Sequence, residues 1–466
     1  MSERFIDREN EFRLLEEQYS SKDASFVVVY GRRRVGKTAL VSEFMQRKGG
    51  GLYYLATEES AEQNLKAFRK QTADFIGNEL LASSNADWLT VFRYLSEYDP
   101  SQRIIIAIDE FQYIGRSDAA FPSVMQKAWD TILKKANVML IICGSIVASM
   151  RSQVLDYDSP LYGRRTAQIR LKQIGFDYYP DFFKGRSRDE LVPFYAVTGG
   201  VPRYIDSFCE TEDLFDGIRK NILTPGSYLY EEPNFLLRNE VSEIGSYFSL
   251  LRAIAMENHK MSEISGFLGT KQTSLTKYLK TLIDLDILER TVPVTEPDPE
   301  KSKSGLYYIK DYFLAFWFRY VYPYQSYLES GQTNYVIERI KNSFSQNYVS
   351  FVYEELCRQK MWNLAAEGTW DYEITKIGRY WGSAAGETDI VAFAPGGIGL
   401  VLGECKYTES PEGLQTLHDL QNKADDIKRL TGTEKASYII FSAGGFTKGL
   451  KDEAGRNKTI TLIEHL

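Results

Sequence analysis

Two groups of residues in this chain of 466 have the types and spacing to work on phosphate. The first is Gly31-Arg32-Arg33-Arg34-Val35-Gly36-Lys37-Thr38, followed by Ala39 and preceded directly by the apolar run 26–30. Glycine at Gly31 and Gly36 permits a tight path that turns successive backbone N–H groups toward phosphate oxygens. A helix starting near Lys37 adds the positive end of its dipole. Lys37 then holds the β and γ phosphates of a nucleoside triphosphate, and the Thr38 hydroxyl is a ligand for Mg²⁺. About seventy residues further on, the buried-type strand 104–108 ends in Asp109 and Glu110, at the carboxyl edge where α/β sheets bind ligands. Asp109 is suited to hold Mg²⁺ through a water, and Glu110 to polarise the water that attacks the γ phosphate. The chemistry expected of this group is binding and hydrolysis of a nucleoside triphosphate with Mg²⁺.

The second group lies in the C-terminal third. Residues 386–393, the turn 394–399 and residues 400–406 read as a β-hairpin. Side chains alternate along a strand, so Glu404 and Lys406 share one face, and Asp389 on the partner strand joins them. Two carboxylates offer hard oxygen ligands to Mg²⁺, which polarises a phosphoryl group and lowers the pKa of a bound water. The Lys406 ammonium positions that water or the phosphate. This is the chemistry of phosphodiester hydrolysis.

Positioning these groups takes several elements. Strand-like runs at 26–30, 52–56, 103–108, 138–143 and 166–171 alternate with helical stretches, which predicts a parallel sheet flanked by helices over 1–180. The chain then turns helical, and 181–245 is read as a small lid. Over 246–325 a helix at 248–256 precedes Ser262, an N-cap for a short helix 263–268; Gly269 makes a turn, and a longer helix covers 270–284. Leu275, Leu279, Leu282 and Ile283 recur at helical spacing and mark its buried face. Strands 287–294 and 306–309, with the polar loop 295–305 between them, complete a winged helix-turn-helix. Lys271, Lys277, Lys301 and Lys303 are its candidate contacts to DNA phosphates; the alternative is a module that serves as a spacer.

Composition bounds the classes. The 43% hydrophobic content supports buried cores, and a formal charge of −7 confines any DNA contact to a local basic face. Four widely separated cysteines and three histidines indicate neither a zinc site nor a disulfide framework, so a reduced, cytoplasmic compartment is expected. The most apolar segment, 312–322, is short and contains Arg319, which predicts core and no membrane span.

Several segments together resemble the archaeal-type ATPase family, a branch of the AAA+ and STAND NTPases, over about the first 260 residues. They are Phe5 to Glu11 (FIDRENE), the phosphate loop, Ile108 to Tyr113 (IDEFQY), Ile142 to Ser145 (ICGS), Tyr162 to Arg165 (YGRR) and Thr198 to Pro202 (TGGVP). The resemblance implies that Ser145, where AAA+ proteins more often carry asparagine, senses the γ phosphate. It also implies that Arg164 or Arg165 supplies charge to the transition state, in the same copy or from a neighbour in a homo-oligomer. Gly199, Gly200 and Pro202 would shape a hinge into the lid. In the C-terminal third, Asp389, fourteen intervening residues and then Glu404-Cys405-Lys406 resemble the PD-(D/E)XK nuclease superfamily. The order helix 345–358, strand 372–379, hairpin, helix 414–428, strand 437–441, helix and strand 459–463 fits that resemblance over 340–466. The superfamily's further metal-binding acid, on the first helix, falls to Glu354, with Glu355 its rival. The expected fold class is therefore α/β, combining a P-loop NTPase sheet with a helical lid, a winged helix-turn-helix and a restriction-endonuclease-like domain. Two functions follow: an ATPase that couples nucleotide state to DNA binding or cleavage, or a signalling scaffold whose nuclease fold only binds.

Overall fold

The structure, a computed structural model, describes residues 5–99, 101–382, 386–433 and 435–466. The chain divides into two compact units, one of Met1–Gly175 with Val201–Arg203 and Leu236–Ser242, the other of Phe176–Gly200, Tyr204–Phe235 and Glu243–Leu466.

The first unit is built on strands β1 (Ser25–Tyr30), β2 (Leu52–Leu55), β3 (Ile104–Asp109), β4 (Val138–Gly144) and β5 (Ala167–Arg170), in the order β2-β3-β4-β1-β5. Every pairing is parallel. Strands β1, β3 and β4 are buried along their whole lengths, which is why they read as unbroken apolar runs. Val28, Ile106 and Leu140 face one core layer, while Val27, Ile105 and Ile141 face the other. Because β4 lies between β1 and β3, the loop after β1, the acidic end of β3 and the residue after β4 all emerge at one carboxyl edge.

In the second unit, helix Arg188–Thr198 starts on a capping box between Ser187 and Glu190 and stops at Gly199, which takes φ 61°. Helix Tyr312–Tyr320 buries Phe313, Leu314, Phe316, Trp317, Phe318 and Tyr320, and the Trp317 indole donates to Tyr230 O at 2.9 Å. The aromatic segment is core. Among the described residues no helix is long and apolar enough to cross a membrane.

Helices Ile244–Ala255, Met261–Leu268 and Gln272–Asp284 are followed by the antiparallel pair β6 (Leu288–Thr291) and β7 (Leu306–Ile309). Gly269 makes the turn with φ 62°. Ser262 is not the N-cap expected: the helix starts two residues earlier than 263, at Met261 with Lys260 as N-cap, because the Glu263 carboxylate accepts from the backbone N–H groups of His259 (3.1 Å) and Lys260 (3.0 Å). Strand β6 is shorter than the expected 287–294, since Val294 N–H has turned away to donate to Arg379 O at 2.8 Å.

The rest is a mixed sheet of β8 (Lys376–Gly382), β9 (Gly386–Phe393), β10 (Gly399–Lys406), β11 (Lys435–Ser442) and β12 (Ile460–Ile463), in the order β12-β11-β10-β9-β8. The β8–β9 and β9–β10 pairs are antiparallel and the β10–β11 and β11–β12 pairs parallel. Strand β8 begins later than the expected 372, because the Tyr372 hydroxyl is drawn to Leu400 O (3.3 Å) and Ser437 Oγ (3.1 Å). The first helix, expected at 345–358, runs on to Ala366 from Ser350.

Of the two phosphate-loop glycines, one is under two constraints at once. Gly31 has φ 153°, and a Cβ there would sit 2.4 Å from Leu171 O; Gly36 has φ 97° but meets nothing within 4 Å. Gly36→Ala should therefore suffer backbone strain alone, about 1–3 kcal/mol, and Gly31→Ala the strain plus displacement of the strand end. Thermal midpoints of the two variants and their ATP affinities by calorimetry check this: Gly31→Ala is expected to be the worse by both measures, and equal losses would contradict it.

Candidate functional site

The phosphate loop joins β1 to helix Lys37–Arg47, with left-handed Gly36 at the N-cap. Thr38 and Ala39 are exposed in the first helical turn, while Val35 is buried and its carbonyl accepts from Arg8 Nη2 at 3.1 Å. Arg8 also reaches Lys172 O at 2.9 Å, which ties the loop to the segment after β5. Arg33 donates to the Tyr113 hydroxyl at 2.9 Å. Arg32, Arg33 and Arg34 are all half-buried.

Lys37 is 6% exposed, and its ammonium donates to Gly31 O (2.9 Å) and Arg32 O (2.7 Å). Burial pulls its pKa below the usual lysine value, against the pull of Glu110 and Asp109. The Asp109 carboxylate is buried, and its Oδ2 accepts from the Thr38 hydroxyl (2.7 Å) and the Tyr53 phenol (2.6 Å), its Oδ1 from the Glu110 N–H (2.8 Å). Glu110 takes φ 51°, and its Oε2 accepts from the Ser145 hydroxyl at 2.7 Å and from the Gln112 amide. The structure thus gathers Lys37, Thr38, Asp109, Glu110 and Ser145 at one edge. The hydroxyl of Thr38 and the carboxylate of Asp109 are hard oxygen donors in contact, a pair that fits Mg²⁺.

The two arginines differ. Arg164 grips Asp130 with Nε at 3.1 Å and Nη2 at 2.9 Å and donates to Pro160 O at 2.8 Å, so it is engaged in a local ion pair. Arg165 lies 5.8 Å over the Tyr162 ring, and its buried Nη1 has no hydrogen-bond partner among the described residues.

In the C-terminal sheet, Gly403 pairs with Ile390, which sets Asp389 opposite Glu404. Asp389 Oδ2 accepts from Cys405 N–H at 2.9 Å, and Glu404 Oε1 accepts from the Lys406 ammonium at 2.9 Å. Glu354, on helix Ser350–Ala366, pairs with Arg379 at 3.4 Å and Arg358 at 3.9 Å. Its rival Glu355 instead pairs with Arg358 at 3.0 Å. Burial and the neighbouring Asp389 push the Glu354 carboxyl up to about 7. Burial and Glu404 likewise raise Asp389. Burial is the largest single influence on Lys406 and lowers its pKa, but Glu404, Asp389 and Glu412 together outweigh it, so the pKa rises. Glu354, Asp389 and Glu404 belong to one electrostatic cluster, yet among the described residues no three carboxylate, imidazole or thiol side chains are close enough to form a metal-binding group by themselves.

Sequence reasoning missed four residues here: Tyr53 and Gln112 at the first site, Arg379 and Lys423 at the second. Lys423, on helix Leu414–Thr431, donates to Glu404 Oε2 (3.3 Å) and Glu387 O (2.7 Å). Gln112 lies inside the segment 108–113, but nothing there marks its contact with Glu110; Tyr53, Arg379 and Lys423 sit at no motif position and reach their sites from neighbouring elements, so three-dimensional pairing reveals them. Lys271, Lys277, Lys301 and Lys303 are exposed, with Lys301 3.1 Å from Asp298.

A parallel sheet whose carboxyl edge presents a phosphate loop and an acidic strand end defines a P-loop nucleotide hydrolase. A family model described as an ATPase domain predominantly from Archaea matches residues 5–208, and one described as archaeal and bacterial proteins of unknown function matches 317–422. An uncharacterized protein of Methanocaldococcus jannaschii is 36% identical over 388 residues, covering 83% of this chain and 84% of that protein. A second uncharacterized protein of the same organism is 32% identical over 103 residues, 22% of this chain and all of its own length. Among solved structures, the Walker-type ATPase of Pyrococcus abyssi aligns with TM-score 0.52 and 20% identity over 67% of this chain and 96% of that one, a likeness of fold. The chain belongs to the family of the Methanocaldococcus relative that it matches over 388 residues, and its residues 5–208 carry the archaeal ATPase domain.

The raised carboxyl of Glu354 has a consequence for stability. Between pH 4.5 and about 7 the folded chain keeps a proton there that the unfolded chain has lost, so this group's contribution to stability falls as pH rises through that window. Asp389 and Glu387 act in the same direction; Arg379 and Arg358 oppose them. In chelator, Glu354→Gln is expected to gain on the wild type from pH 5 to pH 8 by up to about 3 kcal/mol, read from denaturation midpoints. A constant difference across that range would refute it.

Proposed function

We propose that this ATPase binds ATP with Mg²⁺, hydrolyses it, and uses its nucleotide state to govern how a C-terminal nuclease-like domain engages DNA. The supporting arrangement is the gathering of Lys37, Thr38, Asp109, Glu110 and Ser145 at one sheet edge. Gly31 through Ala39 would wrap the phosphates with backbone N–H groups, and Lys37 would exchange two neutral carbonyls for phosphate oxygens. Mg²⁺, held by Thr38 and through a water by Asp109, would neutralise charge on the triphosphate. Glu110, oriented by Ser145 and Gln112, would take the proton of the attacking water. Arg165 is the better candidate for a transition-state arginine, since Arg164 would first have to leave Asp130.

In domain terms the reading assigns 1–180 to the ATPase core, 181–245 to a lid, 246–325 to a winged helix-turn-helix and 340–466 to a PD-(D/E)XK-like domain. Support for the winged module comes from three helices followed by the β6–β7 ribbon, with Leu275, Leu279 and Leu282 buried and the four lysines exposed. Support for the nuclease-like domain comes from Asp389 facing Glu404 across the hairpin, with Lys406 two residues on. A second reading, a scaffold with an inactive nuclease fold, is favoured by Glu404 itself: Lys406 takes one of its oxygens and Lys423 the other, which leaves the carboxylate already neutralised.

Two experiments test these readings. Lys37→Ala should lose ATP binding, whereas Glu110→Gln should bind ATP and lose turnover by about a hundredfold or more; unaltered hydrolysis in both would overturn the ATPase assignment. Asp389→Asn and Glu404→Gln should abolish Mg²⁺- or Mn²⁺-dependent cleavage of plasmid, linear, branched or single-stranded DNA while ATP hydrolysis persists. If the wild type cuts none of these and calorimetry finds no metal bound outside the ATP site, the scaffold reading stands.

A further inference from the structure

We infer that Tyr53, on β2, is a positioning residue for the Mg²⁺ of the nucleotide site, acting through Asp109; the inference rests on the proposed role of Asp109. Tyr53 lies outside the phosphate loop and the acidic strand end. It is placed by the β2–β3 ladder, where it pairs with Ala107, two residues before Asp109. Its backbone carbonyl is held by the Gln71 side chain at 2.5 Å, and its half-buried ring packs on the apolar layer under the loop. That leaves the phenol at one place, 2.6 Å from Asp109 Oδ2.

The arithmetic of acceptors gives this contact its meaning. An ionised carboxylate offers about four lone-pair positions. Thr38 and Tyr53 take two on Oδ2 and the Glu110 N–H takes one on Oδ1, so about one remains for a water on the metal. Asp109 is 1% exposed, so solvent does not fill the positions at random. Without the phenol, Oδ2 keeps only the Thr38 hydroxyl, which is itself the expected metal ligand, and the carboxylate gains freedom to rotate. Tyr53 thus fixes the carboxylate independently of the ligand it must serve. Hydrogen bonds onto a charged acceptor are the strong ones, so the phenol has leverage on the site.

The test uses the full chain and Tyr53→Phe, which keeps the ring and removes the hydroxyl. Two quantities are read against Mg²⁺ concentration: binding of a fluorescent, non-hydrolysable ATP analogue, and steady-state hydrolysis. The Mg²⁺ midpoint is expected to rise about tenfold in both, with analogue affinity in chelator unchanged and with turnover recovering at saturating Mg²⁺; the thermal midpoint falls, because a hydrogen bond onto a buried carboxylate is lost. In an Asp109→Asn background, Tyr53→Phe is expected to add nothing further. An unchanged Mg²⁺ midpoint in Tyr53→Phe, additive effects in the double variant, or an equal loss of analogue affinity in chelator would each overturn the inference. If Asp109→Asn also leaves the midpoint unmoved, the assignment of Asp109 to Mg²⁺ fails first, and that outcome is distinct from failure of Tyr53 alone.

Discussion

A cation with little access to water governs the first unit. The Lys37 ammonium is held by two loop carbonyls, Gly31 and Arg32, with Asp109 and Glu110 near enough to raise its pKa against the effect of burial. Neutral carbonyls are weak partners for a charge that has lost its hydration, and a phosphate oxygen is a stronger one. The loop must therefore be stiff enough to keep the ammonium inside without ligand. Gly31 close against Leu171, and Arg8 bridging Val35 to Lys172, supply that stiffness from the segment after β5. The order β2-β3-β4-β1-β5 then sets the carboxylates of β3 one strand removed from the loop, within reach through Thr38.

The second unit solves a related problem with opposite signs. Glu354, Asp389 and Glu404 are carboxylates in a poorly hydrated region, and cations come to them from four places: Arg358 on the same helix as Glu354, Arg379 on β8, Lys406 on β10 and Lys423 on helix Leu414–Thr431. Ion pairs on Glu354 and Glu404, and the Cys405 N–H on Asp389, lower the cost of burial, though burial first and acidic neighbours second still raise the pKa of Glu354 and Asp389. Such a cluster responds strongly to any new cation or phosphate, since each arrival alters several pKa values together.

Much of this was legible because the relevant signals are local. The phosphate loop, the apolar runs of β1, β3 and β4, and the hairpin of β9 and β10 are each written in consecutive residues, and the strands lie within a residue or two of where alternation and apolar runs place them. Ser262 misled because serine is a common N-cap, while the structure caps that helix from inside with Glu263. Strand β8 misled because Tyr372 reads as strand but serves as a tether to β10 and β11. Tyr53, Arg379 and Lys423 could not be found at all: each acts across elements, and periodicity carries no information about which neighbour a side chain will meet.

Arg379 shows how far that cross-element information reaches. Its carbonyl accepts from Val294 N–H at 2.8 Å, just past β6. Its guanidinium lies 5.7 Å over the ring of Tyr308 on β7, while the same group pairs with Glu354 and, at 2.7 Å, with Glu387. The residue is 8% exposed, so these contacts are made largely without competition from water. The ribbon and the carboxylate cluster thus share one cation. A shift of β7 relative to β8 large enough to move the Tyr308 ring also moves the charge that holds Glu354 down, and the acid with the most raised pKa in the cluster is the one whose balance changes most. Within this unit, the ribbon that follows the three helices and the sheet that carries Asp389 and Glu404 are therefore coupled electrostatically as well as by packing.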